Sequence, residues 1–370
     1  MDERRALVIG VTGISGRNLA EHLLDRGWRV TGISRAAPHS LEGVEHRAVD
    51  ITDSGAVRAA LSDADPTHAF FCTWSRQATE AENVRVNGAM LRNVLDAIAG
   101  APKLRHVALV TGLKHYLGPF ESYGKAKPDT PFREEQERLP YPNFYYEEED
   151  ILFEAAGRHG FSWSVHRPHT MIGWALGNAM NMGVTLAAYG TICRETGRPF
   201  VFPGSMQQWE GVTDVTDARL LARQLEWAAT TPAAANEAFN IVNGDVFRWR
   251  RMWGVLADAL GVEAAPYARD PTPLEEQMAD AGPIWDEIVQ RHGLAPHRLD
   301  QLASWWHSDA DLSRPLETFT DMGKSRRYGF LDYKTSDRSF LDLFERLQAE
   351  RIIPSVAAGK PNRARQATAL

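Results

Sequence analysis

Through the first half of the chain, short apolar runs alternate with stretches whose apolar residues recur at helical spacing. Ala6–Val11 predicts a buried strand, and Ile14–Arg26 sets Ile14, Leu19, Leu23 and Leu24 on one face of a helix. Arg29–Ile33 and Glu45–Val49 predict strands, and Ser54–Leu61 a helix. His68–Cys72, Glu82–Ile98, His106–Val110, Asn143–Arg158 and Ser162–His166 continue as strand, helix, strand, helix, strand. Strands separated by helices pair in parallel, so this order predicts an α/β protein with a doubly wound parallel sheet. Beyond Arg167-Pro168 the pattern loosens. Val212–Leu221 and Ala238–Val242 are expected as late returns to the sheet, and Met180–Arg194 and Pro271–Asp300 as cover for a substrate.

The strongest local motif lies between the first strand and the first helix. Gly10-Val11-Thr12-Gly13-Ile14-Ser15-Gly16 is a G-x-x-G-x-x-G loop. One glycine permits the tight turn, another lets the backbone approach a pyrophosphate, and the third lets helix and strand pack closely. The N–H groups at the start of the helix then face the phosphates. This identifies a dinucleotide site and an extended Rossmann fold. The expected division is a Rossmann core over residues 1–175, a smaller, mainly helical substrate lobe over 176–354 with returns to the sheet near 212–260, and a flexible tail over 355–370.

The end of the second strand selects the cofactor. An acid there binds the ribose diol of NAD. This chain reads Gly32-Ile33-Ser34-Arg35, so Arg35, helped by Ser34, is expected to hold the 2′-phosphate of NADPH. Asp50 and Ile51, after the third strand, are expected beside the adenine. Thr73 and Trp74, after the fourth, are expected beside the riboses.

Composition narrows the function further. The chain has 370 residues, 44% of them hydrophobic, and a net charge of -7, which gives no electrostatic case for nucleic acid or an anionic membrane. No apolar run approaches the ~18 residues of a membrane helix. The N-terminus runs straight into a strand, so no signal peptide is expected. Cys72 and Cys193 lack metal-ligand spacing and suit buried thiols in a reducing, cytoplasmic setting; no metal is expected. Trp209, Trp227, Trp249, Trp253, Trp285, Trp305 and Trp306 suit a core or the wall of an apolar pocket, for which Met180, Met182 and Met206–Trp209 are further candidates.

Two tyrosine–lysine solutions compete for the chemistry. Tyr123 and Lys127 form a literal Y-x-x-x-K downstream of Thr111, as in a short-chain carbonyl reductase. Gly124, Pro128 and Pro131 break the helix that would hold them on one face. The alternative joins Lys114, just past a strand, with Tyr145, at the start of a helix that Asn143 can cap. Tyr145 would donate a hydrogen bond to a developing oxyanion, and the Lys114 cation would strengthen it as an acid.

The motifs GVTGISG (10–16), TWSRQATEAENVRVNGAMLRNVLDA (73–97), TGLKHYLGPFESYG (111–124), LPYPNFYYEEEDIL (139–152), WSVHRP (163–168) and FNIVNGDVFRWRRMW (239–253) occur in order. Together they resemble the progesterone 5β-reductase/iridoid synthase-like family of atypical short-chain dehydrogenases/reductases. The resemblance implies NADPH-dependent reduction of an activated C=C bond in an enone or enal, with Lys114 and Tyr145 as the catalytic pair. It also makes a homodimer plausible and a small apolar unsaturated carbonyl the substrate. Three places depart from the plant pattern: Leu113, the segment His169–Gly173, and the single arginine of SRAAP (34–38). None touches the pair. Beside Lys114, His115 and Tyr116 are expected to support rather than to react. The other readings are an ordinary carbonyl reductase and a non-catalytic NADP-binding redox sensor.

Overall fold

The computed structural model describes residues 4–38, 40–119, 122, 128–178 and 180–356. The described residues form two compact units. The first lies within Met1–His169, Ala218–Val242 and Thr320–Tyr333; the second lies within Thr170–Asp217, Asn243–Phe319 and Lys334–Leu370.

The first unit is built on strands β1 (Arg5–Ile9), β2 (Arg29–Ser34), β3 (Val44–Ala48), β4 (His68–Phe71), β5 (His106–Val110) and β6 (Ser162–Pro168). Its helices are α1 (Ile14–Asp25), α2 (Ser54–Leu61), α3 (Glu80–Ile98), the single turn α4 (Lys114–Leu117) and α5 (Phe144–His159). In chain order there follow β7 (Met171–Ile172), α6 (Met182–Thr196), α7 (Met206–Glu210), β8 (Thr216–Asp217), α8 (Ala218–Thr230), β9 (Glu237–Ile241) and α9 (Trp249–Leu260). The seven-stranded sheet runs β3-β2-β1-β4-β5-β6-β9, parallel throughout. Its central strands are apolar because both faces are covered: all four residues of β4 are buried, as are Ala6–Ile9 of β1. The edge strand β3 (VEHRA) is polar and only partly covered, which suits an edge.

The chain turns from β1 out to β2 and β3 on one side and to β4 on the other. The crevice between β1 and β4 is therefore the topological switch point, where α/β sheets of this kind take their ligands. The Gly10–Gly16 loop leaves β1 at that point and Thr73-Trp74 leaves β4.

One expected element is corrected. Val212–Leu221 does not return to the main sheet. Thr216–Asp217 pairs in parallel with Met171–Ile172 in a separate two-stranded sheet of the second unit, and Thr213 makes isolated bridges to Phe247 and Thr318. The chain then enters α8, where Leu220, Leu221, Gln224, Leu225 and Ala228 are buried at helical spacing. Ala238–Val242 does return, as β9 beside β6.

The second unit is mainly helical. Its core gathers Tyr189, Phe200, Phe202, Trp253, Trp285, Phe340 and Phe344, with Trp249 and Met182 buried among them. These two-ring and one-ring side chains are structural, and the Phe200 and Trp253 rings stack at 4.1 Å. Met206 is instead 46% exposed. Cys193 is buried as expected, whereas Cys72 is half-buried.

Candidate active site

The glycine loop has the shape of a cradle. Gly10 sits at φ 85°, in the left-handed region, and a Cβ there would lie 2.7 Å from Thr73 Cβ and 2.9 Å from the Cys72 carbonyl oxygen. At Gly16 a Cβ would lie 2.2 Å from the Gly10 carbonyl oxygen, so α1 packs directly onto the turn. No side chain caps α1, whose N-cap is Gly13. Both close approaches and an uncapped helix start fit a pyrophosphate. Ile14 and Ser15 are buried in the first turn, and Thr12 is half-buried.

At the tip of β2, Arg35 is exposed. The Ser34 hydroxyl donates to the Ala36 carbonyl at 2.7 Å and lies 2.9 Å from His46 Nε2, so its proton is already committed. Asp50 turns inward on its own loop, accepting from the Thr52 N–H at 3.0 Å and the Thr52 hydroxyl at 2.8 Å. Those two bonds, with the Arg35 charge, hold its carboxyl below the usual range. The loop carrying Thr73 and Trp74 is fixed by Asn87 of α3, which accepts from the Ser75 N–H at 2.7 Å and donates to the Ser75 carbonyl at 3.0 Å. Asn93 Nδ2 donates to the Ile51 carbonyl at 3.0 Å. These two asparagines give no motif in the sequence. Their only trace is polar residues on a helix face otherwise given to Met90, Leu91, Val94 and Leu95.

Lys114 and Tyr145 are brought together by one side chain. Asn143 caps α5 by accepting from the Tyr145 N–H at 3.0 Å, and its Nδ2 donates to the Lys114 carbonyl at 2.7 Å. The Tyr145 hydroxyl reaches the segment that carries the lysine: a Cβ at Gly112 would lie 3.2 Å from Tyr145 Oη. Gly112 therefore makes room for the phenol. Lys114 Nζ stands 5.0 Å from the Phe144 ring centroid and 5.2 Å from that of Trp74; these two rings stack at 5.2 Å. The Phe144 and Tyr145 rings are 4.3 Å apart. Ammonium, phenol and Trp74 thus share one aromatic support, and Lys114 and Tyr145 are both more than nine-tenths buried. Tyr123, Lys125 and Lys127 lie outside the described residues.

Behind the pair is a buried polar network. Arg167, at the end of β6, donates to Glu149 at 3.1 Å and to the Tyr116 hydroxyl at 3.2 Å. Tyr116 donates to Asn240 of β9 at 2.6 Å. Arg138 also reaches Glu149, at 2.9 Å, and the Tyr146 hydroxyl donates to the His115 carbonyl at 2.6 Å. Burial works to raise the Glu149 carboxyl, but His115 and the Arg167 guanidinium more than offset it and bring it to about 2. Burial, followed by the neighbouring Glu149 charge, instead raises Glu148 well above the usual carboxylate range. His115 and Tyr116 thus tie α4 to α5, β6 and β9.

Residues 46–354 match the PRISE-like Rossmann-fold domain family. An (S)-8-oxocitronellyl enol synthase from Nepeta cataria is 42% identical, covering 95% of this chain and 94% of its own. A 3-oxo-Δ(4,5)-steroid 5β-reductase from Arabidopsis thaliana is 40% identical, covering 95% of this chain and 94% of its own. The crystal structure of a UDP-glucose 4-epimerase from Brucella ovis in complex with NAD superposes with a TM-score of 0.63, covering 91% of this chain and 96% of that one; at 16% identity this speaks to the fold alone. With the family match spanning most of its length and relatives alike over nearly all of it, the chain belongs to the PRISE-like Rossmann-fold family.

Proposed function

We propose that the chain is an NADPH-dependent reductase of activated C=C bonds, acting on small apolar α,β-unsaturated carbonyls. The observation that carries this reading is the convergence of Tyr145 and Lys114 through Asn143 beside Gly112. The relatives support the reaction class, since one is named as a reductase of a Δ(4,5)-3-oxosteroid, an enone.

The Gly10–Gly16 loop and the start of α1 would take the pyrophosphate, and Arg35 the 2′-phosphate. Thr73 and Trp74 would flank the riboses, with Lys114 as a further ribose ligand. A dinucleotide held by these residues would supply the hydride that reduces the β-carbon of the substrate. Tyr145 donates its hydroxyl proton in a hydrogen bond to the carbonyl oxygen, which becomes an enolate oxygen as the β-carbon is reduced. Lys114 places a cation next to the phenol and favours that charge. A proton from water at the α-carbon completes the saturated carbonyl. The β-carbon is one vinylogous step from the carbonyl, so this reaction would call for an oxyanion donor farther from the hydride source than carbonyl reduction does. Tyr145 would be a displaced donor of that kind. A reducing, cytoplasmic setting accords with the free thiols of Cys72 and Cys193.

The test is product identity. Incubated with NADPH and a cyclic or linear enone, the enzyme is expected to give the saturated ketone; an allylic alcohol would replace this reading with carbonyl reduction. The cofactor assignment has its own expected outcome. Arg35→Ala should raise the KM for NADPH by roughly 10- to 100-fold, the loss of about 1.5–3 kcal/mol for a charge-assisted hydrogen-bond pair. Its KM for NADH should hardly move. An unchanged NADPH/NADH ratio would rule Arg35 out.

A further inference from the structure

Strand β6 reveals its two faces through the partners of neighbouring residues. His166 Nδ1 lies 2.8 Å from Gln224 Oε1 of α8, whereas Arg167 donates to Glu149 of α5 at 3.1 Å. Successive residues of a strand point to opposite faces, so the residue two beyond Arg167 belongs to the α5 face. That residue is His169, one position past the end of the strand, and it is 6% exposed. It belongs to the first unit, as do Lys114 and Tyr145.

The register between β6 and α5 sets what His169 stands opposite. Gly160 and Phe161 join the two elements, so a turn this short makes helix and strand run antiparallel. Glu149 opposite Arg167 fixes their alignment. Two residues onward along β6 advance about 6.6 Å, and four residues back along α5 advance about 6 Å in the same direction. Those steps lead from Arg167 to His169 and from Glu149 to Tyr145. A separate observation agrees. A Cβ at Gly112 would lie 3.2 Å from Tyr145 Oη and 3.3 Å from the Pro168 carbonyl oxygen, which belongs to the peptide bond leading into His169. The phenol and that peptide therefore flank one point.

Reduction of an enone needs an acid at carbon as well as a donor at oxygen. With the carbonyl oxygen on Tyr145, the α-carbon is two bonds further on, within about 5 Å of the phenol oxygen. The neighbouring acids are engaged elsewhere. Glu149 is ionised and bonded to Arg167 and Arg138, and the Tyr116 hydroxyl donates to Asn240. Imidazole is the side chain most often used as a general acid, and it can be held through one ring nitrogen while the other gives a proton.

We infer that His169 is the catalytic acid that protonates the α-carbon. This rests on the C=C reductase reading above and names the group that delivers the proton it requires. Hydride adds to the β-carbon, and the π pair of the C=C bond passes into the enolate. The N–H bond of the His169 imidazolium then breaks. Its proton forms the new C–H bond at the α-carbon with the enolate's electron pair, and the C=O bond is restored. The neutral imidazole takes its next proton from water.

The test is the configuration of the α-carbon. The full chain reduces a cyclic enone bearing an α-methyl group with NADPH, and the enantiomers of the saturated ketone are separated by chiral chromatography. A positioned acid outpaces solvent by about 10²- to 10⁴-fold, so the wild type should give one enantiomer in at least about tenfold excess. His169→Gln keeps the bulk and removes the transferable proton. It should still consume NADPH, release an enol that ketonises in solution, and give the two enantiomers within about twofold of each other. A merely structural role would lower NADPH consumption and leave the selectivity alone. Glu148→Gln, at the protonated carboxyl of α5, should keep the wild-type selectivity. If His169→Gln fails to fold, His169→Asn makes the same demand. A racemic ketone from the wild type, a selectivity unmoved in the His169 variant, or one lost in Glu148→Gln instead would each overturn the role of His169 and leave the reductase reading standing. An allylic alcohol, or no consumption of NADPH by the wild type, would overturn both.

Discussion

Tyr145→Phe is expected to lower kcat for enone reduction by roughly 10²- to 10³-fold, the usual cost of losing one oxyanion donor. The loss should appear in kcat and leave the KM for NADPH within about twofold, because the hydroxyl acts on charge that forms only as the bond is reduced. The fold should tolerate the change. The ring packs against Phe144 at 4.3 Å with or without its oxygen, and the α5 cap runs through the Tyr145 backbone N–H rather than the phenol. Steady-state kinetics at saturating NADPH, with a thermal melt of the same preparation, separates the two effects. A fall in kcat of less than about threefold would remove Tyr145 from the oxyanion role.

The second large effect is on stability. Glu149→Ala is expected to cost about 3–5 kcal/mol, because it leaves the Arg167 guanidinium buried without its carboxylate. The two side chains are 2% and 6% exposed, so water does not stand in for the lost partner. The same group sets an acid limit. Its carboxyl sits near 2 in the folded chain against an ordinary 4.5, so its contribution is whole above about 4.5 and is lost as pH falls towards 2. Glu148 has the opposite shift and stays protonated through that window, so it does not mask the change. Denaturant titrations at pH 4.5 and at steps below it should show the wild type losing stability on acidification and Glu149→Ala losing distinctly less. Parallel acid curves for the two would show that the pair contributes nothing net.

Much of this architecture is legible locally. The helix Ser54–Leu61 and the strand His106–Val110 stand where their apolar spacing puts them, because both are short elements with their burial written into neighbouring residues. The glycine loop is readable for a similar reason: its requirements for room and for a left-handed turn exclude other residues. Motif order, more than spacing, singles out Lys114 and Tyr145, and Asn143 ties the backbones of the two. Val212–Leu221 is not legible in this way, because its two-residue strand Thr216–Asp217 runs directly into α8, and the helical period emerges only once Leu225 and Ala228 are included. Long-range polar pairing is the least visible of all. Nothing in the neighbourhood of Arg167 says that it meets Glu149 and Tyr116, and nothing beside Asn87 says that it pins Ser75. Periodicity records which face of an element is buried, and a hydrogen bond between distant elements leaves no mark on that record.

The Asn143 carboxamide carries one more implication. Because it joins the Lys114 carbonyl to the first turn of α5, it works as a crossbar that short-circuits all the chain between them. The spacing of those two backbone segments is then set by a single side chain rather than by the length of the connecting segment. Descendants of this scaffold, natural or engineered, can rewrite that segment and keep the tie between α4 and α5.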